Sequence, residues 1–164
     1  MYKQLILFAL LAGLLASACA QPKTKQTQVY SAKMPEVITD PAKYNELGPK
    51  EKQVILNKGT EWAFSGEYHD LKAKGTYLCR QCNLPLFRSD AKFDSRTGWP
   101  SFDDFIPRAV KELTDADGMR TEIVCANCEG HLGHVFRGEG FTRKSTRHCV
   151  NSVSLQFIAE ESEK

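Results

Sequence analysis

The chain has 164 residues, enough for one domain with appendages, and its 41% hydrophobic and 26% charged residues are ordinary for a globular protein. A net charge of +2 is too small to imply nucleic acid or an anionic surface as the partner. From residue 40 onward no run approaches the ~20 apolar residues of a membrane span.

Residues 1–18 read as an export signal. Lys3 supplies the positive start, Leu5 to Ala16 is a continuous apolar run too short to span, and Ala16-Ser17-Ala18 provides small residues. Leu15-Ala16-Ser17-Ala18-Cys19 is similar to a bacterial lipobox, which implies lipidation of Cys19 and a periplasmic or outer-surface protein held by a membrane anchor. Cleavage after Ala18 or Ala20 by an ordinary signal peptidase fits the same residues. Residues 19–40 are expected to form a flexible tether, because Gln21 to Lys33 is polar and aperiodic.

Residues 41–160 form the expected folded domain. A short helix is predicted between Pro41 and Gly59, with Pro49 in the first turn, Val54 and Ile55 facing inward and Gly59 at the C-cap. From Thr60 the pattern turns to β. Strands are predicted at Gly75 to Leu78, Leu84 to Phe87, Pro107 to Leu113, Leu132 to Phe136 and His148 to Ile158. Asp115-Ala116-Asp117-Gly118 is a turn signal, after which Met119, Thr121 and Ile123 alternate with charged residues as in an antiparallel hairpin. The Glu-rich end, residues 161–164, reads as a solvated tail.

Cysteine spacing carries the most chemistry. Cys79-Arg80-Gln81-Cys82 and Cys125-Ala126-Asn127-Cys128 are two C-x-x-C pairs, each followed closely by turn residues. Two such knuckles in one domain point to a closed, structural four-cysteine zinc site. Disulfides are the alternative for an exported chain. A thioredoxin-like redox pair is excluded, since neither pair opens a βαβ unit. With Cys19 in the export signal, Cys149 alone has no structural employment.

At a period of two, Cys149, Asn151, Val153, Leu155 and Phe157 share one face of a strand. The Asn151 carboxamide would then hydrogen-bond whatever the sulfur binds, and the charge of Arg147 would favour thiolate. Gly98-Trp99-Pro100 makes a stiff loop that offers the indole as a wall for a methyl or thioether group, or as loop packing. His131 and His134 would face opposite sides of a regular strand, but Gly133 lets the chain bend so that both approach one site as general acids. A zinc ligand or a surface hydrogen-bonder is the plainer role for each. His69 and His148 carry no expected direct role.

From Tyr44 to Ala159 the chain resembles a methionine-R-sulfoxide reductase of the MsrB type. The matching stretches are Phe64-Ser65-Gly66-Glu67-Tyr68, Gly75-Thr76-Tyr77 before the first knuckle, Lys92-Phe93-Asp94-Ser95, Gly98 to Phe102, the second knuckle, His131 to Phe136, and Arg147 with Cys149-Val150-Asn151-Ser152. The resemblance implies a mainly β fold of two antiparallel sheets with one structural zinc at Cys79, Cys82, Cys125 and Cys128 and a short N-terminal helical segment. It implies Cys149 as the nucleophile, Trp99 holding the substrate methyl group, and His131, His134 and Asn151 lining the pocket. Arg147 is counted with Trp99 and Asn151 in binding substrate. Many relatives carry a resolving cysteine where this chain has Thr97. The expected partners are therefore oxidised proteins or peptides and an external thioredoxin-like dithiol, with the chain acting as a monomer.

Overall fold

Between Val150 and Leu155 the chain leaves one sheet and enters another. The computed structural model describes residues 34–160, so Cys19, the export signal and the expected tail lie outside the described residues. Six strands form the larger sheet: β3 (Lys92–Phe93), β4 (Ser101–Phe102), β5 (Val110–Thr114), β6 (Thr121–Cys125), β7 (His131–Arg137) and β8 (Thr146–Val150), in the order β3-β4-β8-β7-β6-β5. The smaller sheet holds β1 (Gly75–Cys79), β2 (Pro85–Arg88) and β9 (Leu155–Ala159) in the order β2-β1-β9. All pairings are antiparallel. This is the mainly β, two-sheet architecture expected.

The single strand expected from His148 to Ile158 is two strands. A 3₁₀ turn at Ser152–Ser154 separates them, so Val153, Leu155 and Phe157 do not continue the face of Cys149. The break is built from polar groups that a regular strand would leave unpaired. Ser154 N–H donates to the Asn151 carbonyl at 3.0 Å, Ser154 Oγ donates to the His131 carbonyl at 2.9 Å, and the Ser152 N–H donates to the Glu61 carboxylate. Buried backbone groups need such partners, and here side chains supply them in place of a ladder.

Aromatic packing joins the two sheets. Phe102 of β4 stacks on Phe87 of β2 with centroids 4.4 Å apart and meets Tyr77 of β1 edge-on at 5.0 Å. All three are wholly buried, and such pairs contribute about 0.5–1.5 kcal/mol each beyond area burial.

The helix α1 spans Pro49–Ile55, with Pro49 at its start and the Glu51 carboxylate accepting the Gly48 N–H. Val54 and Ile55 are buried, as expected. Gly59 is not the cap. The helix stops earlier, at Leu56, and the left-handed residue is Lys58 (φ 55°). Gly59 instead permits a close approach, since a β-carbon there would lie 2.7 Å from the Gln53 carbonyl oxygen. Seven residues do not make a stable helix by themselves, so the buried Val54 and Ile55 hold it. Residues 34–40 fall within the expected tether, yet their backbone is anchored: Ile38 N–H donates to Cys82 O at 2.9 Å and Ile38 O accepts from Asn127 Nδ2 at 2.8 Å.

Candidate metal centre and reactive-cysteine site

The two knuckles fold alike. In the first, Asn83 N–H donates to Cys79 O at 2.9 Å and Cys79 N–H to Leu84 O at 2.8 Å; in the second, Glu129 N–H donates to Cys125 O and Cys125 N–H to Gly130 O, both at 3.0 Å. The residue after the second cysteine is left-handed in each, Asn83 at φ 62° and Glu129 at φ 60°. This shared turn brings Sγ of Cys79, Cys82, Cys125 and Cys128 within 4.8 Å of one another. Cys79–Cys128 and Cys82–Cys125 are 3.5 and 3.6 Å apart. Four thiolates around zinc at ~2.3 Å would be about 3.8 Å apart, so the cluster fits a tetrahedral zinc site. No pair is bonded as a disulfide. The cluster ties the β1–β2 hairpin to the β6–β7 hairpin.

The remaining described cysteine, Cys149, lies on β8 with Ser101 of β4 on one side and His134 of β7 on the other. Glu122 of β6 is the next partner of His134. Directly opposed residues share a face, so Ser101, Cys149, His134 and Glu122 form one row across the sheet. His131 joins them through a bulge. The β6–β7 register slips between Ile123 and Val124, so that Gly133 faces Ile123 but His131 faces Val124. One extra residue in β7 reverses the alternation, and the two imidazoles meet edge-on with centroids 5.6 Å apart. Gly133 adopts φ +152° at this point, the bend expected there.

Both histidines are held by carboxylates. His134 Nε2 is 2.8 Å from Asp115 Oδ2, which Arg120 also contacts at 2.8 Å. His131 Nδ1 is 2.7 Å from Glu122 Oε1, while Lys58 Nζ is 2.7 Å from Glu122 Oε2. His131 Nε2 is buried and has no hydrogen-bond partner among the described residues. Burial pushes His131 toward its neutral form, and the Glu122 carboxylate opposes that shift.

Arg147 does not make Cys149 a ready thiolate. Burial pushes the Cys149 thiol above its ordinary range, and the opposing contacts from Arg147 and Thr97 are smaller. The guanidinium is already engaged, forming a fork to Glu139 at 2.7 and 2.9 Å and lying over the Phe136 ring at 4.4 Å. Thr97, Ser95 and Ser101 form a chain of hydroxyls beside the sulfur, with steps of 2.8 and 2.7 Å.

The Asn151 carboxamide is hydrogen-bonded through both its oxygen and its nitrogen. It accepts the Glu61 N–H at 3.0 Å, and its Nδ2 donates to Leu132 O at 3.1 Å. Glu61 in turn accepts the Trp99 indole N–H on its carbonyl at 3.1 Å. Asn151 therefore links the segment after Cys149 to the Trp99 loop. Trp99 borders a cavity of ≈ 590 Å³ with Phe64, Leu71, Phe93 and Arg96; Cys149 is not among its lining residues.

Glu122, Lys58, Glu61 and Asp115 have no site role in the sequence reading. Glu122 was expected on the exposed side of an alternating hairpin strand, but it is only 1% exposed. Its position inside Thr121-Glu122-Ile123-Val124-Cys125, where every other side chain suits burial, is the one sequence signal that marks it.

A family model described as the SelR domain matches residues 47–159. The chain is 50% identical over 115 residues to "Peptide methionine sulfoxide reductase B2, chloroplastic" of Arabidopsis thaliana, an alignment covering 70% of this chain and 57% of that protein. It is 52% identical over 112 residues to "Peptide methionine sulfoxide reductase B3" of the same plant, covering 68% and 64%. With "Peptide methionine sulfoxide reductase B9", also of Arabidopsis thaliana, it shares 54% over 112 residues, covering 68% and 78%. The alignments thus span less than two thirds of the first two relatives.

Proposed function

The chain belongs to the SelR domain family of MsrB type, and from that premise we propose that it reduces the R epimer of methionine sulfoxide in proteins to methionine. The observation that carries the reading is Cys149 itself. It stands outside the four-sulfur cluster, in one row with His134, whose ring meets that of His131 edge-on, and His131 Nε2 has no partner among the described residues.

In the proposed step the Cys149 sulfur attacks the sulfoxide sulfur. The attack forms an S–S bond while a histidine gives a proton to the sulfoxide oxygen; that oxygen then bonds to the Cys149 sulfur as the S–S bond and the original S–O bond break, leaving a sulfenic acid on Cys149. The methionine sulfur keeps the electron pair and leaves as a thioether. Thiol plus sulfoxide becomes sulfenic acid plus thioether, so atoms and electrons balance. His131 suits the donor role better than His134, whose Nε2 is committed to Asp115. Trp99 is assigned to the substrate methyl group. The four-cysteine site holds zinc when loaded, and the metal supplies fold stability there, closing the ends of two hairpins.

Recycling needs two electrons from outside. Every other described cysteine lies in the metal cluster, and Thr97 contacts the sulfur where a resolving thiol would stand. An external dithiol of thioredoxin type therefore attacks the sulfenic acid, releasing water and regenerating the thiol. Export and acylation at Cys19 belong to the same proposal. They would place the domain on a tether outside the cytoplasm, and mass spectrometry of the mature N-terminus tests them.

The activity test uses the purified, zinc-loaded protein with dithiothreitol and each epimer of a peptide methionine sulfoxide. Reduction of the R epimer with the S epimer untouched is the expected result. Equal reduction of both, or of neither, overturns the proposal.

A further inference from the structure

Glu122 is the one carboxylate buried within the row that holds Cys149. Its side chain is 2% exposed, yet both oxygens are bonded at 2.7 Å, Oε1 by His131 Nδ1 and Oε2 by Lys58 Nζ. Lys58 reaches it from the left-handed turn after α1. A buried carboxylate with a cation on only one oxygen is costly unless the other oxygen is also satisfied. The imidazole N–H satisfies it. The same bond fixes the imidazole: Nδ1 carries the hydrogen, and Nε2, buried and unpartnered, is left as the nitrogen that exchanges a proton.

We propose that Glu122, braced by Lys58, is the positioning residue that orients His131 and keeps it protonated for donation to the sulfoxide oxygen. The proposal rests on the reductase reading above. With its oxygens bonded to His131 and Lys58, Glu122 acts through His131. Two effects follow from the geometry. The Nδ1 contact sets the ring plane, since a ring with one nitrogen held cannot turn about its χ2 axis. The negative charge also stabilises the imidazolium that burial disfavours. The other ionisable groups facing His131 are His134, whose ring lies edge-on, and Lys58, and each opposes protonation when charged. Asp115 and Arg120 act one step further away, through His134.

The arrangement makes predictions of opposite sign for its two supports. Glu122→Gln keeps the shape and an acceptor oxygen but removes the charge, so His131 loses its proton at lower pH. Lys58→Met removes a cation that opposes the imidazolium, so His131 keeps its proton to higher pH. A residue that only filled space would move neither.

The experiment measures kcat and KM against pH for the zinc-loaded wild type, E122Q and K58M, with dithiothreitol and an R-sulfoxide peptide. Zinc content and melting temperature are followed alongside. E122Q is expected to lower kcat at neutral pH by about tenfold or more with KM little changed, and to move the alkaline limb to lower pH. K58M is expected to move that limb the other way. Superimposable profiles in an active wild type overturn the role of Glu122 alone. So does a fall in E122Q amplitude that tracks lost zinc without any shift of the limb. An inactive wild type overturns the reductase reading itself and the proposal with it.

Discussion

Gly133 lies so close to Cys149 that a β-carbon on it would sit 2.0 Å from the Cys149 carbonyl oxygen. The absent side chain lets β7 and β8 approach at the bulge, and its φ of +152° is open to glycine and strained for other residues. Gly133→Ala is therefore expected to destabilise the protein by about 3 kcal/mol or more, from the strained φ together with the contact. Urea or thermal unfolding checks the loss. A variant as stable as wild type would contradict the close approach.

Metal removal should undo more than one hairpin, because the four thiols tie β1–β2 to β6–β7. Chelation, or Cys82→Ser, is expected to abolish zinc binding, with a large fall in melting temperature and in near-ultraviolet circular dichroism. Structural zinc contributes folding free energy directly. Cys149→Ser should leave zinc content at one ion per chain, which a metal titration reads directly.

The thiol of Cys149 is raised by burial above its ordinary value of 9.0. Alkylation by iodoacetamide should therefore stay slow through neutral pH and rise only in alkali. Arg147→Met removes a contact that favours thiolate, and is expected to slow alkylation further at a fixed pH. The folded protein resists ionisation more than the unfolded chain does. This contribution to stability is complete below about pH 9 and is lost as pH rises through the folded value. Alkylation that is fast at neutral pH would contradict the burial.

Asn151 serves the scaffold through two hydrogen bonds, to Glu61 N–H and Leu132 O. Asn151→Ala leaves the Glu61 N–H buried without its partner, at a cost of about 1–3 kcal/mol, while Leu132 O keeps the backbone N–H of residue 151. Melting temperature should fall, and the indole fluorescence of Trp99 should change, since Glu61 also holds that ring. A higher KM with unchanged stability would instead give the amide a direct role in binding.

Much of this was legible in the sequence, and what was missed has a physical cause. The zinc knuckles follow from spacing, because two C-x-x-C pairs leave few ways to satisfy four thiols. Pro49, Val54 and Ile55 marked the helix correctly. The meeting of His131 and His134 was foreseen only as a bend at Gly133; the bulge that reverses the face depends on pairing with β6, which periodicity along one strand does not contain. The break after Val150 was missed for the same reason. Val153, Leu155 and Phe157 keep the alternating pattern, while the groups that end the strand come from Glu61 and His131, far away in the chain. Glu122 was hidden because a charged residue in a hairpin is ordinarily assigned to solvent. Its burial depends on Lys58 and His131 together.

The central claim is that one sulfur, on Cys149, takes the oxygen from substrate. A single-turnover experiment tests it most directly: one equivalent of an R-sulfoxide peptide, no reductant, a sulfenic-acid trap, and mass spectrometry of the intact protein and its peptides. The account predicts one trapped adduct, on the peptide carrying Cys149, with an equal amount of methionine peptide released and none of either from Cys149→Ser. Methionine released by Cys149→Ser at the wild-type rate, or an adduct confined to the knuckle cysteines, would contradict it.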